Sequence, residues 1–188
     1  YKIYGRTKGR KKIQSIDYNF FNESILDLKK DLKTNKKNIL DIGSGSGENS
    51  LFLAKNNPKM LIVACDVFRD GNINLCNKLF KSKLNNIRLF TNNVIILFDH
   101  LKPNQYFNEI WILFPDPWPK NRHHKRRLIN VGFLRMIHSF LKNDARIFIA
   151  TDSSSYLISI INSVYETKLF FRWENDKPYK WIYKDQQL

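Results

Sequence analysis

The 188 residues suit one compact domain, and 43% apolar residues exclude intrinsic disorder, while no apolar run approaches the roughly 20 residues of a bilayer-spanning helix. Lys and Arg number 32 against 17 acids, a net charge of +15, which asks for a polyanionic partner, either nucleic acid or an anionic membrane surface. Two cysteines, Cys65 and Cys76, make neither a disulfide framework nor a zinc cluster and read as reduced core residues.

The first segment along the chain, residues 1–12, carries Lys2, Arg6, Lys8, Arg10, Lys11 and Lys12 with no acid, interrupted by Gly5 and Gly9. It reads as a flexible basic arm. The opening at Tyr1 reads as a trimmed front, and with no apolar signal segment behind it a cytoplasmic location is expected. Residues 1–36 are taken as this arm and a lead-in helix, and 37–188 as the main domain. From about Lys37, short apolar runs alternate with amphipathic stretches, the pattern of an α/β fold with a mostly parallel, doubly wound sheet.

Strands are predicted at 39–42, 61–65, 87–91, 109–114 and 146–150. Helices fall between them at 48–56, 71–81, 94–100 and 124–141; in the last, Leu128, Val131, Leu134, Ile137 and Leu141 recur at helical spacing. A further helix is expected at 153–164, capped by Asp152 or Ser153, with short strands at 170–173 and 181–183.

Two connections carry chemistry. Leu40-Asp41-Ile42-Gly43-Ser44-Gly45-Ser46-Gly47 takes a strand into a glycine-rich turn and then a helix. A dinucleotide fingerprint would need glycine where Glu48 stands, and a phosphate loop would need Gly-Lys-Ser/Thr, so neither fits. Gly-x-Gly-x-Gly behind an acid suits S-adenosylmethionine, which has no phosphate to cradle. Asp66 closes the next strand, where a carboxylate accepts both ribose hydroxyls of an adenosine, and Asp41 helps neutralise the cationic methionine end. These features place cofactor contacts at Asp41, Gly43, Gly45 and Asp66.

The second connection is Phe114-Pro115-Asp116-Pro117-Trp118-Pro119-Lys120, followed by Arg122-His123-His124-Lys125-Arg126-Arg127. Three prolines forbid regular helix or a central strand, so this is a shaped loop after the fourth strand, at the carboxyl edge where open parallel sheets bind ligands. Trp118 either packs the loop or stacks on a base; Arg126 and Arg127, set against a helix dipole, are expected to bind phosphate. His124 and His138 read as ordinary histidines.

This loop resembles the signature of the bacterial TrmB-type tRNA (guanine-N7-)-methyltransferase family. The stretch 4–10 is similar to that family's basic amino-terminal motif, 40–47 to its cofactor loop and Ala150-Thr151-Asp152 to its Ala-Thr-Asp after the fifth strand. The resemblance implies a Rossmann-like class I S-adenosylmethionine-dependent methyltransferase fold and methylation of guanosine N7 at tRNA position 46, in the variable loop. It implies cofactor contacts at Asp41, Asp66 and Asp116, and substrate contacts at Lys120 and Asp152, with His123 and Arg126 also functional. Asn93 stands where the family has an aspartate near the adenine, and its side-chain oxygen can still accept from the adenine amino group. The family's final Thr-x-Phe/Tyr-Glu segment would begin about where the chain stops.

Guanine N7 carries an in-plane lone pair and no proton, so the expected mechanism has no general base. Asp116 is expected to stabilise the positive charge the ring acquires, and Asp152, on the opposite wall, to accept from N1–H and N2–H. The expected partner is tRNA, with no membrane and no metal, the protein acting as a monomer or weak homodimer. The alternatives are methylation of another RNA base and a non-catalytic RNA-binding module on a relic cofactor fold; intact Asp41, Asp66, Asp116 and Asp152 speak against decay.

Overall fold

A strand buried on both faces must be apolar almost throughout, and Asn38–Ile42 satisfies this: all five residues of this strand, β1, are buried. The structure, a computed structural model, describes residues 16–168. These form two compact units, one made of the chain through Leu113 together with Ser139–Ile149, the other of Phe114–His138 together with the chain from Ala150 onward.

The first unit holds the sheet. Besides β1 it contains β2 (Leu61–Cys65), β3 (Ile87–Phe90), β4 (Phe107–Leu113) and β5 (Leu141–Ala150), in the order β3-β2-β1-β4-β5. β1 runs parallel to both β2 and β4, and β2 parallel to β3. The Phe107 N–H donates to Phe140 O, and the Phe114 N–H to Ala150 O, so β5 follows β4 in the same direction. Strand order reverses between β1 and β4, the switch point at which doubly wound sheets open a ligand crevice.

Helices α2 (Glu48–Asn56) and α3 (Arg69–Ser82) bury Leu53, Leu75 and Leu79 against Ile39, Ile62, Ala64, Ile87 and Leu89 of the sheet. Elsewhere in the unit, Phe98 of α4 (Val94–His100) stacks on Phe140 at 4.6 Å, and Trp111 on Phe148 at 4.0 Å. The lead-in helix α1 (Tyr18–Ser24) is capped by Asp17, which accepts from the Asn19 and Phe20 N–H groups, and sets Phe20 edge-on to Phe80 at 5.2 Å. Cys65 and Cys76 are buried free thiols, and burial pushes both pKa values up.

The second unit contains the proline loop, a 3₁₀ helix (Asn121–Arg126), α5 (Val131–His138) and α6 (Ser154–Thr167), with α5 packed on α6. Tyr156, fully buried, anchors it: its hydroxyl accepts from the Ile129 N–H at 2.9 Å.

The helix predicted over 124–141 is corrected. Its apolar stripe is real, but the chain is extended at Arg127 (ψ 130°), and the Asn130 side chain accepts from the Phe133 N–H at 3.0 Å, starting α5 afresh. Leu141 belongs to β5, which begins five residues earlier than expected and absorbs Asp144 at φ 58°. The remaining predicted elements in the described region agree within three residues, and Ser153 is the cap of α6. The strands predicted at 170–173 and 181–183, and the basic arm, lie outside the described residues.

Candidate active site

In the first unit, β1 ends in a turn whose three glycines all sit at positive φ: 77° at Gly43, 54° at Gly45 and 82° at Gly47. Their spatial roles differ. A Cβ on Gly43 or Gly45 would meet no atom within 4 Å, so the backbone there borders open space, whereas one on Gly47 would collide with Leu75. Gly71 of α3 is close-packed in the same way, since a Cβ there would lie 2.3 Å from Gly45 O. The first two glycines leave room for a ligand, and Gly47 and Gly71 let the helices close behind the turn.

Two carboxylates hold this cradle. Asp66 Oδ2 accepts from the Gly45 N–H at 2.7 Å and Oδ1 from the Phe68 N–H at 2.8 Å. Each oxygen keeps a further lone pair, so Asp66 can shape the turn and still accept the two hydroxyls of a ribose. Asp41 is buried at 2% exposure, with its oxygens taken by Ser50 Oγ at 2.5 Å and Asn49 Nδ2 at 3.0 Å. Burial raises its pKa, and the Ser50 and Asn49 hydrogen bonds offset part of the rise. Asp41 therefore binds β1 to the start of α2, a duty not expected from the sequence although Asn49 and Ser50 stand in the first turn after the glycines.

Asn93 caps α4, its Oδ1 accepting from the Ile95 N–H at 2.9 Å. The donor set suits S-adenosylmethionine: open glycines, an acceptor carboxylate at the end of β2, and a buried Ser44 Oγ with no hydrogen-bond partner among the described residues.

In the second unit the proline loop is strained. Phe114 and Trp118 adopt φ of 50° and 44°, left-handed values at bulky residues that each precede a proline. Such conformations cost about 1–3 kcal/mol apiece and persist only where their surroundings enforce them. Arg127 supplies much of that enforcement. It is buried, donating from Nε to Pro117 O at 2.8 Å, from Nη1 to Ser155 O at 3.2 Å and from Nη2 to Ser155 Oγ at 3.0 Å, with its guanidinium 4.9 Å from the Tyr156 ring centre. The expectation that Arg127 binds phosphate is therefore corrected: its donors hold Pro117 and Ser155.

Its neighbour behaves differently. The three-residue period of a 3₁₀ helix stacks His123 and Arg126 on one ridge. Trp118 packs against both, with the Arg126 guanidinium 5.0 Å from its ring centre and the His123 ring edge-on at 5.8 Å. Of the two roles open to Trp118, packing is the one its contacts fill. The exposed aromatic of the loop is Phe114, at 64%. Partial burial, reinforced by Arg126, Lys120 and Lys125, holds His123 below the usual imidazole range.

Asp116, Lys120, Arg122, Lys125 and Asp152 are exposed. Neither Asp116 nor Asp152 has a hydrogen-bond or salt-bridge partner among the described residues. Asp152 is presented next to the α6 cap, where Thr151 Oγ1 accepts from the Ser153 N–H at 3.2 Å.

A doubly wound parallel sheet, with this glycine turn after its first strand and a carboxylate closing its second, defines the class I methyltransferase fold. Residues 35–184 match the family described as "Putative methyltransferase". A tRNA (guanine-N(7)-)-methyltransferase of Neorickettsia sennetsu is 32% identical over 93% of the chain and 78% of its own length. The Nitrosomonas eutropha protein of that name is 36% identical over 73% of the chain and 62% of its own length. The crystal structure of precorrin-6y C5,15-methyltransferase from Geobacter metallireducens shares the fold, with a TM-score of 0.56 and 16% identity over 71% of this chain and 65% of that one. The chain belongs to the tRNA (guanine-N(7)-)-methyltransferase family.

Proposed function

We propose that the protein methylates N7 of a guanosine in tRNA, at position 46 of the variable loop. The observation that carries this reading is the strained loop of residues 114–120, which presents the unpartnered Asp116 carboxylate beside an exposed aromatic and a cationic 3₁₀ turn.

S-adenosylmethionine supplies the methyl group, bound to a sulfonium sulfur. Gly43 and Gly45 leave it space, Asp66 accepts from its ribose, Asn93 from its adenine, and Asp41 places negative charge beneath the turn. Asp116 also contributes to this binding.

The guanine N7 lone pair needs no activation, so the protein's contribution is position and charge. Phe114 offers a face for the flipped base, Asp152 accepts from N1–H and N2–H, and the Asp116 carboxylate stabilises the positive charge that grows on the ring. Lys120, Arg122, Lys125 and Arg126 contact phosphates, and His123 steadies Trp118. The reaction needs no metal, and the protein works in the cytoplasm as a monomer or weak homodimer.

Incubation with labelled S-adenosylmethionine and unmodified tRNA, followed by nucleoside analysis, should give 7-methylguanosine. The single-turnover rate should stay nearly flat between about pH 6.5 and 8.5, because N7 has no proton to lose and the depressed His123 pKa moves its titration toward the acid side. A rate that climbs with pH, or a different methylated nucleoside, would overturn the reading.

A further inference from the structure

The strands of the first unit have a second end. Where β2 and β3 begin, a groove of about 350 Å³ is lined by Lys30, Asp31, Lys36, Lys59, Arg88 and the edge of Leu61. β1 and β2 pair from Asn38–Leu61 at this end to Ile42–Cys65 at the other, where the glycine turn follows. The groove and the cradle are thus separated by the length of a strand, roughly 13 Å.

Its charge is unbalanced. The lining carries four cations and one carboxylate, and that carboxylate is already engaged: Asp31 Oδ2 takes Arg88 Nε at 3.3 Å and the Asp27 N–H at 3.0 Å. Lys30, Lys36 and Lys59 are exposed, with no salt bridge among the described residues. Further positive charge gathers alongside, for Lys142 Nζ donates to Lys36 O, and Lys37 adds to the burial that lowers the Lys142 pKa. Like charges collected around one groove repel each other in the free protein, and a polyanion would relieve that repulsion.

We propose that this groove takes the phosphodiester backbone of the RNA substrate, at the end of the strands opposite the glycine cradle. The inference rests on RNA being the partner. A single phosphate would satisfy one or two of these cations, whereas a backbone passing through meets all of them in turn. Backbone contacts carry no sequence information, so the groove positions the substrate without reading its sequence.

The test is the triple variant Lys30→Ala/Lys36→Ala/Lys59→Ala, whose side chains hold no structural hydrogen bond among the described residues. Binding to unmodified tRNA, titrated against salt, should show a logarithmic slope flatter by about 2–3, at roughly 0.7–0.9 for each of three lost phosphate contacts. KM for tRNA should rise about tenfold or more while kcat and S-adenosylmethionine affinity hold. Lysine acylation read by mass spectrometry should show Lys30, Lys36 and Lys59 of the wild-type protein protected by tRNA. An unchanged slope overturns the groove, as does a flatter slope without protection, which would be a general charge effect. If the wild-type protein protects these lysines but forms no 7-methylguanosine, the proposed reaction falls and the groove stands.

Discussion

Two loops follow two neighbouring strands, and both turn through left-handed backbone, but they reach it differently. After β1 the positive φ values fall on Gly43, Gly45 and Gly47, where they cost little. After β4 they fall on Phe114 and Trp118, where they cost stability and need support from Arg127, Arg126 and His123. The first loop makes space for a ligand by omitting side chains. The second presents side chains in a geometry that they would not choose alone.

The sharpest test of this difference asks what the second loop presents. Asp116→Asn keeps the shape and an acceptor while removing the charge, and single-turnover methyl transfer at saturating S-adenosylmethionine should fall on the order of 10²–10³. An undiminished rate would leave the strained loop without an electrostatic purpose.

Next in size is the support itself. Arg127→Ala strands Pro117 O and Ser155 and should cost about 3 kcal/mol in denaturant unfolding, since hydrogen bonds from charged donors are worth about 1.5–3 kcal/mol each and do not add fully. Arg126→Ala, one residue earlier, should cost clearly less, about 1 kcal/mol for its packing on Trp118, and flatten the salt dependence of tRNA binding by roughly 0.7–0.9. Equal behaviour of the two variants would erase the distinction drawn between them.

These adjacent arginines also show where sequence stops being informative. Both read as cations at a helix start, because one-dimensional spacing does not reveal that a 3₁₀ turn sends residue 126 to Trp118 and residue 127 inward to Tyr156. The sheet was far more legible. β2, α2 and α4 lie at their expected bounds, since β2 is an unbroken apolar run, α2 follows a glycine turn and α4 begins at an Asn cap. The turn after β1 was legible too, as glycine marks positive φ openly, but the anchoring of Asp41 by Asn49 and Ser50 was not. Nothing in Phe-Pro or Trp-Pro announces a left-handed aromatic, because local preference runs against it and tertiary contacts override that preference.

A smaller effect is expected on the glycine side. Asp66→Ala should weaken S-adenosylmethionine binding by about 1.5–3 kcal/mol by calorimetry, combining a lost acceptor with a loosened Gly45. Unchanged affinity in the folded variant would remove Asp66 from the cofactor site.

The smallest effect carries an unusual sign. Phe114→Gly should stabilise the protein by about 1 kcal/mol, because glycine takes the left-handed conformation freely, while KM for tRNA rises. A variant that loses stability would show that Phe114 is there for packing.

The lead-in segment has a bearing on how the basic arm can be studied. β3 is an outer strand, and Ile25 bridges Leu89 while the Leu26 N–H donates to Leu89 O at 2.9 Å, so this short stretch occupies hydrogen-bonding positions that an outer strand would otherwise offer to another chain. Truncation at Asp27, a natural cut for removing the arm, would uncover that seam and invite aggregation that could be mistaken for lost RNA binding. A deletion that stops ahead of Asp17 keeps the cap of α1 and the seam closed, and isolates the arm's own contribution.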